Sequence, residues 1–299
     1  MAITVDDMRG VFPIAFTCFT EDGEIDYDEF EKQVGYLART GASGVVMYGM
    51  TSEYHKLSDA EKEKLTTVFL RKMKEFPNVI SVLNVTDWAT ELAVKTAKKY
   101  ESLGVDAIML MPPFYYAPSL DMIRNHIHKV LEAVSIPVMI QYAPLATKLY
   151  MDNKELADFC NKYPNACFKA EYRPAVPFME ELFKERADMP ILTGWAGLDI
   201  VEQVQLGVRG LVTVGGYTEV FVAIFKAIEE GNIEKAKEIY AKLHPYIDIW
   251  MVNPESLLAI EKEILYRRGI CKNSYCRHPR YLITEENSKQ IDEFIKLFF

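Results

Sequence analysis

Eight short apolar runs, many of them rich in β-branched residues, alternate with stretches of helical periodicity along most of the chain. These predicted strands are Val11–Phe19, Gly44–Met50, Val79–Val85, Ala107–Met111, Val138–Ala143, Cys167–Tyr172, Ile191–Gly194 and Gly210–Gly215. Their nearly continuous apolar character is typical of parallel strands that are covered on both faces. The number and order of the repeats predict an α/β protein with a (β/α)8 barrel, the TIM barrel fold.

Amphipathic helical stretches lie between the strands, among them Asp26–Arg39, Asp59–Glu75, Thr90–Leu103, Leu120–Val134 and Asn153–Lys162. The strand pattern stops after residue 230, and three more helical stretches follow, at Ile233–Trp250, Pro254–Arg268 and Glu285–Phe298. No low-complexity linker precedes them, so we expect these helices to pack on the barrel. The prediction is a catalytic barrel over residues 1–230 and a C-terminal three-helix region over residues 231–299.

Charge and composition narrow the range of partners. The net charge is −9 and no basic cluster is interleaved with aromatic residues, so we expect no nucleic-acid partner. No apolar run reaches membrane-spanning length and the N-terminal residues do not resemble a signal peptide, which predicts a cytoplasmic protein that binds no membrane. The five cysteines lack the paired spacing of zinc or redox motifs, and the five histidines form no ligand cluster. We therefore predict no metal site.

A lone lysine interrupts the sixth predicted strand, at the end of a barrel strand where catalytic groups are expected. The two-residue period of a strand places Lys169 and Glu171 on one face. Removal from water favours the neutral amine of a lysine, which is a nucleophile toward ketones and aldehydes. The alternative is a simple ion pair between the two side chains. Glu171 itself is either a general acid–base group or a charge partner of Lys169 or Arg173.

Other strand ends offer groups that could hold a small acid. Gly49-Met50-Thr51 presents backbone amides and a hydroxyl suited to a carboxylate, although such a sequence can also be only a turn. Tyr115 lies in a proline-bounded aromatic loop suited either to packing at a subunit interface or to proton transfer. Gly194 would allow a substrate to approach the backbone closely, or would serve a turn.

These motifs together resemble the class I pyruvate-dependent, Schiff-base lyases of the dihydrodipicolinate synthase and N-acetylneuraminate lyase family. The resemblance covers nearly the whole chain and rests on Gly49-x-Thr51-x-Glu53-x-x-x-Leu57, Pro113-x-Tyr115-x-x-Pro118, the strand-6 lysine, Gly194 and Asn253-Pro254. It implies that Lys169 forms the Schiff base, that Met50 and Thr51 hold the carboxylate of a 2-oxo acid, and that Tyr115 serves a neighbouring subunit of a homotetramer. It implies no metal or organic cofactor.

The chain departs from the family pattern at three places. Gln141 stands where the catalytic tyrosine of the fifth strand is expected, three residues before Pro144, and Tyr142 stands where an asparagine is expected. Met50 replaces a threonine, and no arginine follows Pro144, where Lys148 is the nearest cation. We expect Gln141 to face the site, although a shift of one residue would turn Tyr142 inward. These departures predict a poor dihydrodipicolinate synthase.

The sequence therefore predicts a lyase that acts on pyruvate or another 2-oxo acid, by aldol cleavage or, alternatively, by dehydration of a 2-keto-3-deoxy sugar acid. Dihydrodipicolinate synthesis is a further alternative within the family. A metal-dependent barrel enzyme and a non-catalytic ligand-binding relative are the alternatives outside it. The predicted catalytic residues are Lys169, Gln141, Glu171 and Tyr115, and the predicted substrate-binding residues are Gly49, Met50, Thr51, Gly194 and Val212.

Overall fold

The computed structural model describes residues 2–251 and 253–299, and its eight strands form a closed parallel barrel in the order of the chain. The strands are β1 Gly10–Ile14, β2 Gly44–Met47, β3 Ile80–Val85, β4 Ala107–Leu110, β5 Val138–Tyr142, β6 Ala166–Ala170, β7 Ile191–Thr193 and β8 Gly210–Val214. All eight consist of buried residues apart from the first residue of β1. The predicted (β/α)8 fold is confirmed.

Twelve α-helices are formed by the described residues. They are α1 Tyr27–Arg39, α2 Asp59–Met73, α3 Thr90–Ser102, α4 Leu120–Leu131, α5 Pro144–Thr147, α6 Asn153–Lys162, α7 Ala175–Glu185, α8 Ile200–Leu206, α9 Thr218–Glu229, α10 Ile233–Trp250, α11 Pro254–Arg267 and α12 Glu285–Phe298. None of them is both long and apolar enough to cross a membrane.

Several strands end earlier than the apolar pattern predicted. β1 ends at Ile14 and not at Phe19, because the backbone N–H of Phe16 donates to the side chain of Gln33 instead of continuing the strand ladder. Phe16 and Phe19 are apolar because they are buried, not because they belong to the strand. β6 likewise ends at Ala170, so Glu171 lies one residue beyond the strand and not within it.

The chain forms two compact units. The first comprises the residues up to Gly10 together with Ile80–Val212, and the second comprises Val11–Val79 and Thr213–Phe299. The C-terminal helices α10 to α12 thus share a unit with the first helices of the chain. The predicted boundary at residue 230 stays a prediction.

The register of the first unit brings the polar residues of β5 and β6 together. Gln141 on β5 pairs directly with Lys169 on β6, and Ala170 pairs with Thr193 on β7. Because the strands are parallel, their carboxyl ends lie at one edge of the sheet. The polar side chains that follow these strands therefore gather at that edge.

A buried cluster of charges lies in the second unit. Glu53 is fully buried and accepts hydrogen bonds from Lys262 at 2.5 Å and from Lys56 at 3.1 Å. The ammonium group of Lys262 also donates to the carbonyl of Tyr275 in the loop between α11 and α12. A buried carboxylate needs such partners, because desolvation of an unpaired charge costs several kcal/mol. The cluster therefore ties this loop to the residues that follow β2.

Candidate active site

Lys169, Glu171 and Gln141 form one buried polar group at the carboxyl ends of β5 and β6. Lys169 is 3% exposed, and its Nζ atom lies 3.4 Å from Oε1 of Glu171. The amide Nε2 of Gln141 donates to Oε2 of Glu171 at 2.6 Å. An amine and a carboxylate at this distance, both shielded from water, can exchange a proton directly or through a substrate atom.

The carboxylate of Glu171 is held from a third direction by the backbone. The N–H of Trp195 donates to Oε1 of Glu171 at 3.1 Å, and Trp195 has the left-handed φ of 52° that this orientation uses. A β-carbon on the preceding residue, Gly194, would lie 2.3 Å from the same oxygen. The position of the Glu171 carboxylate therefore requires a glycine at residue 194. The sequence singled out the glycine, but the backbone donor beside it was missed because amide donors leave no residue-type signal.

One acceptor at this site has no partner among the described residues. Oε1 of Gln141 is buried and makes no hydrogen bond to any of the described residues. Buried polar atoms in proteins are nearly always bonded to protein, water or ligand. The site therefore offers a hydrogen-bond acceptor to a hydroxyl group or a water molecule next to Glu171 and Lys169.

Gln141, not Tyr142, shares this polar group. The hydroxyl of Tyr142 donates to the carbonyl of Met151 at 3.0 Å, and its ring stacks on Phe178 with centroids 5.9 Å apart. Burial raises the pKa of Tyr142 to about 12, which disfavours the phenolate. Tyr142 therefore packs on the opposite face of β5 from Gln141.

The Gly49–Ser52 segment, in the second unit, is a hydrogen-bonded turn. Ser52 donates to the carbonyl of Gly49 at 2.7 Å, and Thr17 donates to the carbonyl of Ser52 at 2.6 Å. A β-carbon on Gly49 would lie 2.6 Å from the side chain of Ile14, so packing requires the glycine. The Thr51 hydroxyl is buried and has no partner among the described residues, whereas Met50 offers only an apolar side chain.

The remaining predicted site residues differ in exposure. Tyr115 is 76% exposed, and its ring packs edge-on against Trp88 with centroids 5.5 Å apart. Val212 is buried within β8. Lys148 is exposed and donates to the carbonyl of Leu145. Across residues 2–251 and 253–299, no three His, Cys, Asp or Glu side chains are grouped closely enough to hold a metal ion.

Comparison with known proteins identifies the family. The chain matches the profile of the Dihydrodipicolinate synthetase family over residues 7–297. A 4-hydroxy-tetrahydrodipicolinate synthase of Methanocaldococcus jannaschii is 30% identical over 292 residues, which are 96% of this chain and 98% of that protein. An L-2-keto-3-deoxyarabonate dehydratase of Azospirillum brasilense is 25% identical over 279 residues, 91% of this chain and 88% of that protein.

A solved structure shares the fold of this chain. The crystal structure of a dihydrodipicolinate synthase from Rhodopseudomonas palustris superimposes with a TM-score of 0.88, covers 99% of both chains and is 23% identical in sequence. Relatives of this chain are thus synthases and dehydratases, both of which are lyases, and the chain is an enzyme of that type. The protein belongs to the dihydrodipicolinate synthetase family.

Proposed function

We propose that the protein is a Schiff-base lyase that acts on pyruvate or a longer 2-oxo acid through Lys169. The observation that carries this proposal is the buried amine of Lys169 beside the Glu171 carboxylate, 3.4 Å away, at a strand end of a barrel. A buried amine that transfers its proton to a neighbouring carboxylate becomes a nucleophile toward a ketone. The unpartnered Thr51 hydroxyl supports the further proposal that Met50 and Thr51 bind the carboxylate of the acid.

The proposed reaction begins when the amine of Lys169 adds to the keto carbon. Loss of the carbonyl oxygen as water leaves an iminium ion, which withdraws electrons from the neighbouring carbon–carbon bonds. Cleavage of the C3–C4 bond then releases an aldehyde and leaves an enamine, and protonation of the enamine followed by hydrolysis frees the product acid and the lysine. In this proposal Glu171 moves these protons, which is supported by the hydrogen bonds from Gln141 and Trp195 that orient its two oxygens.

A second candidate, dehydration of a 2-keto-3-deoxy sugar acid, is favoured by the arrangement around Glu171. In this reaction Glu171 removes a proton from C3 of the iminium, and the enamine expels the C4 hydroxyl, which leaves as water with that proton. The fifth strand supplies a glutamine amide in place of a phenol, and an amide does not exchange protons near neutral pH. A carboxylate adjacent to the amine, with an unpartnered Gln141 acceptor for a sugar hydroxyl, suits dehydration.

Borohydride reduction tests both candidates at their common step. The protein is incubated with pyruvate or a 2-keto-3-deoxy acid, reduced with borohydride, digested and analysed by peptide mass spectrometry. The expected result is a stable adduct on the peptide that contains Lys169, and no adduct in Lys169→Met, which keeps a side chain of similar length. An adduct on another lysine, or one that persists in Lys169→Met, would overturn the proposal.

The substrate class is decided by turnover of a panel. The panel contains 2-keto-3-deoxy acids, for which cleavage and dehydration give different products, and pyruvate with aspartate semialdehyde. We expect turnover of at least one keto-deoxy acid and little condensation with the semialdehyde. Rapid condensation would make the protein a dihydrodipicolinate synthase and would show that Gln141 suffices where a phenol was expected.

The proposal also covers the oligomeric state of the protein and its cellular compartment. We propose a homotetramer, in which the exposed Tyr115 is covered by another subunit; exposed aromatic rings of this kind are common at interfaces. We also propose a cytoplasmic location, which is supported by five buried, unpaired cysteines among the described residues.

A further inference from the structure

An open cleft in the second unit is lined by α11, by the loop between α11 and α12, and by Glu21. Its volume is about 580 Å³, and small-molecule sites in proteins typically have volumes of roughly 300–1,000 Å³. Helix α11 contributes Ala259, Glu263 and Tyr266, and the loop contributes residues 273–276 and 280–283. None of these residues belongs to the candidate active site, so the proposed reaction leaves the cleft without a role.

Arg280 is the only basic residue among the described residues that line this cleft. Its guanidinium lies over the ring of Tyr275, 4.4 Å from the ring centroid. No carboxylate of residues 2–251 and 253–299 pairs with it, and its buried Nε atom has no hydrogen-bond partner among those residues. A guanidinium presents a planar fork of N–H donors that matches the two oxygens of a carboxylate. Arg280 therefore brings unused donors to the wall of the cleft.

Three tyrosine side chains supply aromatic surface to the same cleft, namely Tyr266, Tyr275 and Tyr281. Tyr266 is 46% exposed, so its ring is accessible to a ligand. The hydroxyl of Tyr281 donates to Oδ1 of Asn287 at 2.9 Å, and the carbonyl of Tyr275 accepts a hydrogen bond from Nζ of Lys262 at 3.0 Å. The Tyr281 side chain and the Tyr275 backbone are thus held in place in the absence of a ligand, which lowers the entropic cost of binding.

The two carboxylates that line the cleft limit the charge of a ligand. Glu263 accepts hydrogen bonds from the hydroxyl of Ser274 at 2.5 Å and from Nε of Arg267 at 2.7 Å, so its charge is compensated. Glu21 is exposed and adds a negative charge to the lining. Arg280 can balance one negative charge on a ligand, whereas a second one would be repelled by Glu21. The lining therefore favours a monoanion over a dianion.

We propose that this cleft binds a small aromatic monocarboxylate, whose carboxylate accepts hydrogen bonds from Arg280 and whose ring packs among the tyrosine side chains. Aromatic rings pack favourably in offset or edge-on arrangements, and this contribution adds to the burial of apolar surface. An arginine that lies over a ring still donates through its N–H groups to a planar anion. The inference does not rest on the proposed lyase function, because no residue of the cleft takes part in that reaction.

Calorimetric titration of the full-length protein with naphthalene-2-carboxylate tests the site. We expect a Kd below about 1 mM, and a Kd that is ~10- to 100-fold higher in Arg280→Gln because the charge-assisted hydrogen bonds are lost. Lys289→Gln is the matched control, since it removes one positive charge from an exposed residue of α12 that does not line the cleft; its Kd should equal that of the wild type. A wild-type protein that does not bind the probe, or equal binding by Arg280→Gln, would overturn the proposal.

A second variant and three related probes test the class of ligand. Tyr266→Leu keeps Arg280 but removes one aromatic wall, so the Kd should rise by roughly 2- to 10-fold. The saturated analogue decahydronaphthalene-2-carboxylate and the neutral 2-naphthylmethanol should each bind more weakly than the probe, and 2-naphthyl phosphate should bind no more tightly. Equal binding of the saturated acid would refute the aromatic class. Equal binding of the alcohol, or tighter binding of the phosphate, would refute the single negative charge.

Two measurements locate the bound probe, because a carboxylate also suits the candidate active site. Lys169→Met should bind naphthalene-2-carboxylate with the wild-type Kd. Hydrogen exchange of the backbone amides of residues 273–283 should slow when the probe is added, since the bound ligand covers this loop. Loss of binding in Lys169→Met, or protection that leaves residues 273–283 unchanged, would overturn the assignment of the probe to this cleft.

Discussion

The substitution Gly194→Ala tests whether the position of Glu171 controls the rate. The added β-carbon would lie 2.3 Å from Oε1 of Glu171 and 2.7 Å from its Cδ and Cγ atoms. An ordinary contact is restored only if the carboxylate retreats by about 1 Å, a misplacement that typically costs ~10²-fold in rate. The same movement lengthens the contacts of 3.1 Å to the N–H of Trp195 and 3.4 Å to Lys169 beyond hydrogen-bond range.

We expect Gly194→Ala to slow turnover without preventing Schiff-base formation. The kcat for the best 2-oxo acid should fall by ~10²-fold, while borohydride trapping at Lys169 persists, because the lysine itself is not displaced. The free energy of unfolding in urea should fall by about 1–3 kcal/mol from overpacking. Turnover is followed by product formation, and trapping is followed by peptide mass spectrometry.

Gly35→Ala is the matched control. Gly35 lies inside α1, where the added β-carbon would meet only the flexible ends of Arg39 and Lys72 at 3.4 Å. Its activity should equal that of the wild type, and its stability should rise by about 0.4–1 kcal/mol because the unfolded chain loses freedom. Wild-type kcat in Gly194→Ala would refute the assignment of Glu171 to proton transfer. If Gly194→Ala lost borohydride trapping as well as turnover, the expectation that Schiff-base formation survives the substitution would be wrong.

Three further predictions concern other groups. Glu171→Gln keeps the size of the side chain but cannot transfer a proton, so kcat should fall by ~10²–10⁴-fold while borohydride trapping at Lys169 is retained. Unchanged turnover would show that Glu171 is only a charge partner of Lys169. Tyr115→Asp should weaken the oligomer in light scattering if the exposed ring is buried between subunits, and a wild-type monomer at assay concentration would contradict the proposed assembly. Burial raises the pKa of Glu261 from the usual 4.5 to about 8, so the folded state binds an extra proton between these values and the free energy of unfolding should fall as pH rises through this range. Urea unfolding from pH ~5 to ~9 should show a shallower fall in Glu261→Gln, and equal slopes would show that this carboxyl does not titrate in the folded state.

Much of the architecture could be read from the sequence, because strand and helix periods are local properties. The eight apolar runs predicted the eight strands, and the last three helices were found close to their observed bounds. The predicted strand ends were less accurate. Phe16 and Phe19 extended the apolar pattern past Ile14 because burial, not strand geometry, selects such residues.

The candidate site was determined partly by sequence. The lysine, the glutamate two residues later and the glycine of the seventh strand end were all identified, because their types and spacing carry the information. Whether Gln141 or Tyr142 lies with Lys169 depended on the register of β5 against β6, a property of two segments 28 positions apart at their paired residues. Strand pairing settles it in favour of Gln141, since Tyr142 bonds Met151 on the other face.

Other features were decided by tertiary structure alone. The N–H of Trp195 that orients Glu171 belongs to the backbone, which every residue type shares, so no sequence pattern marks it. The buried pairing of Glu53 with Lys262 was equally hidden, because the two residues are 209 positions apart and lack any characteristic spacing. The sequence by itself determined which chemical groups this protein carries and which elements bear them. The folded chain decided which groups are neighbours, because contacts between distant segments depend on packing and register that no local pattern encodes.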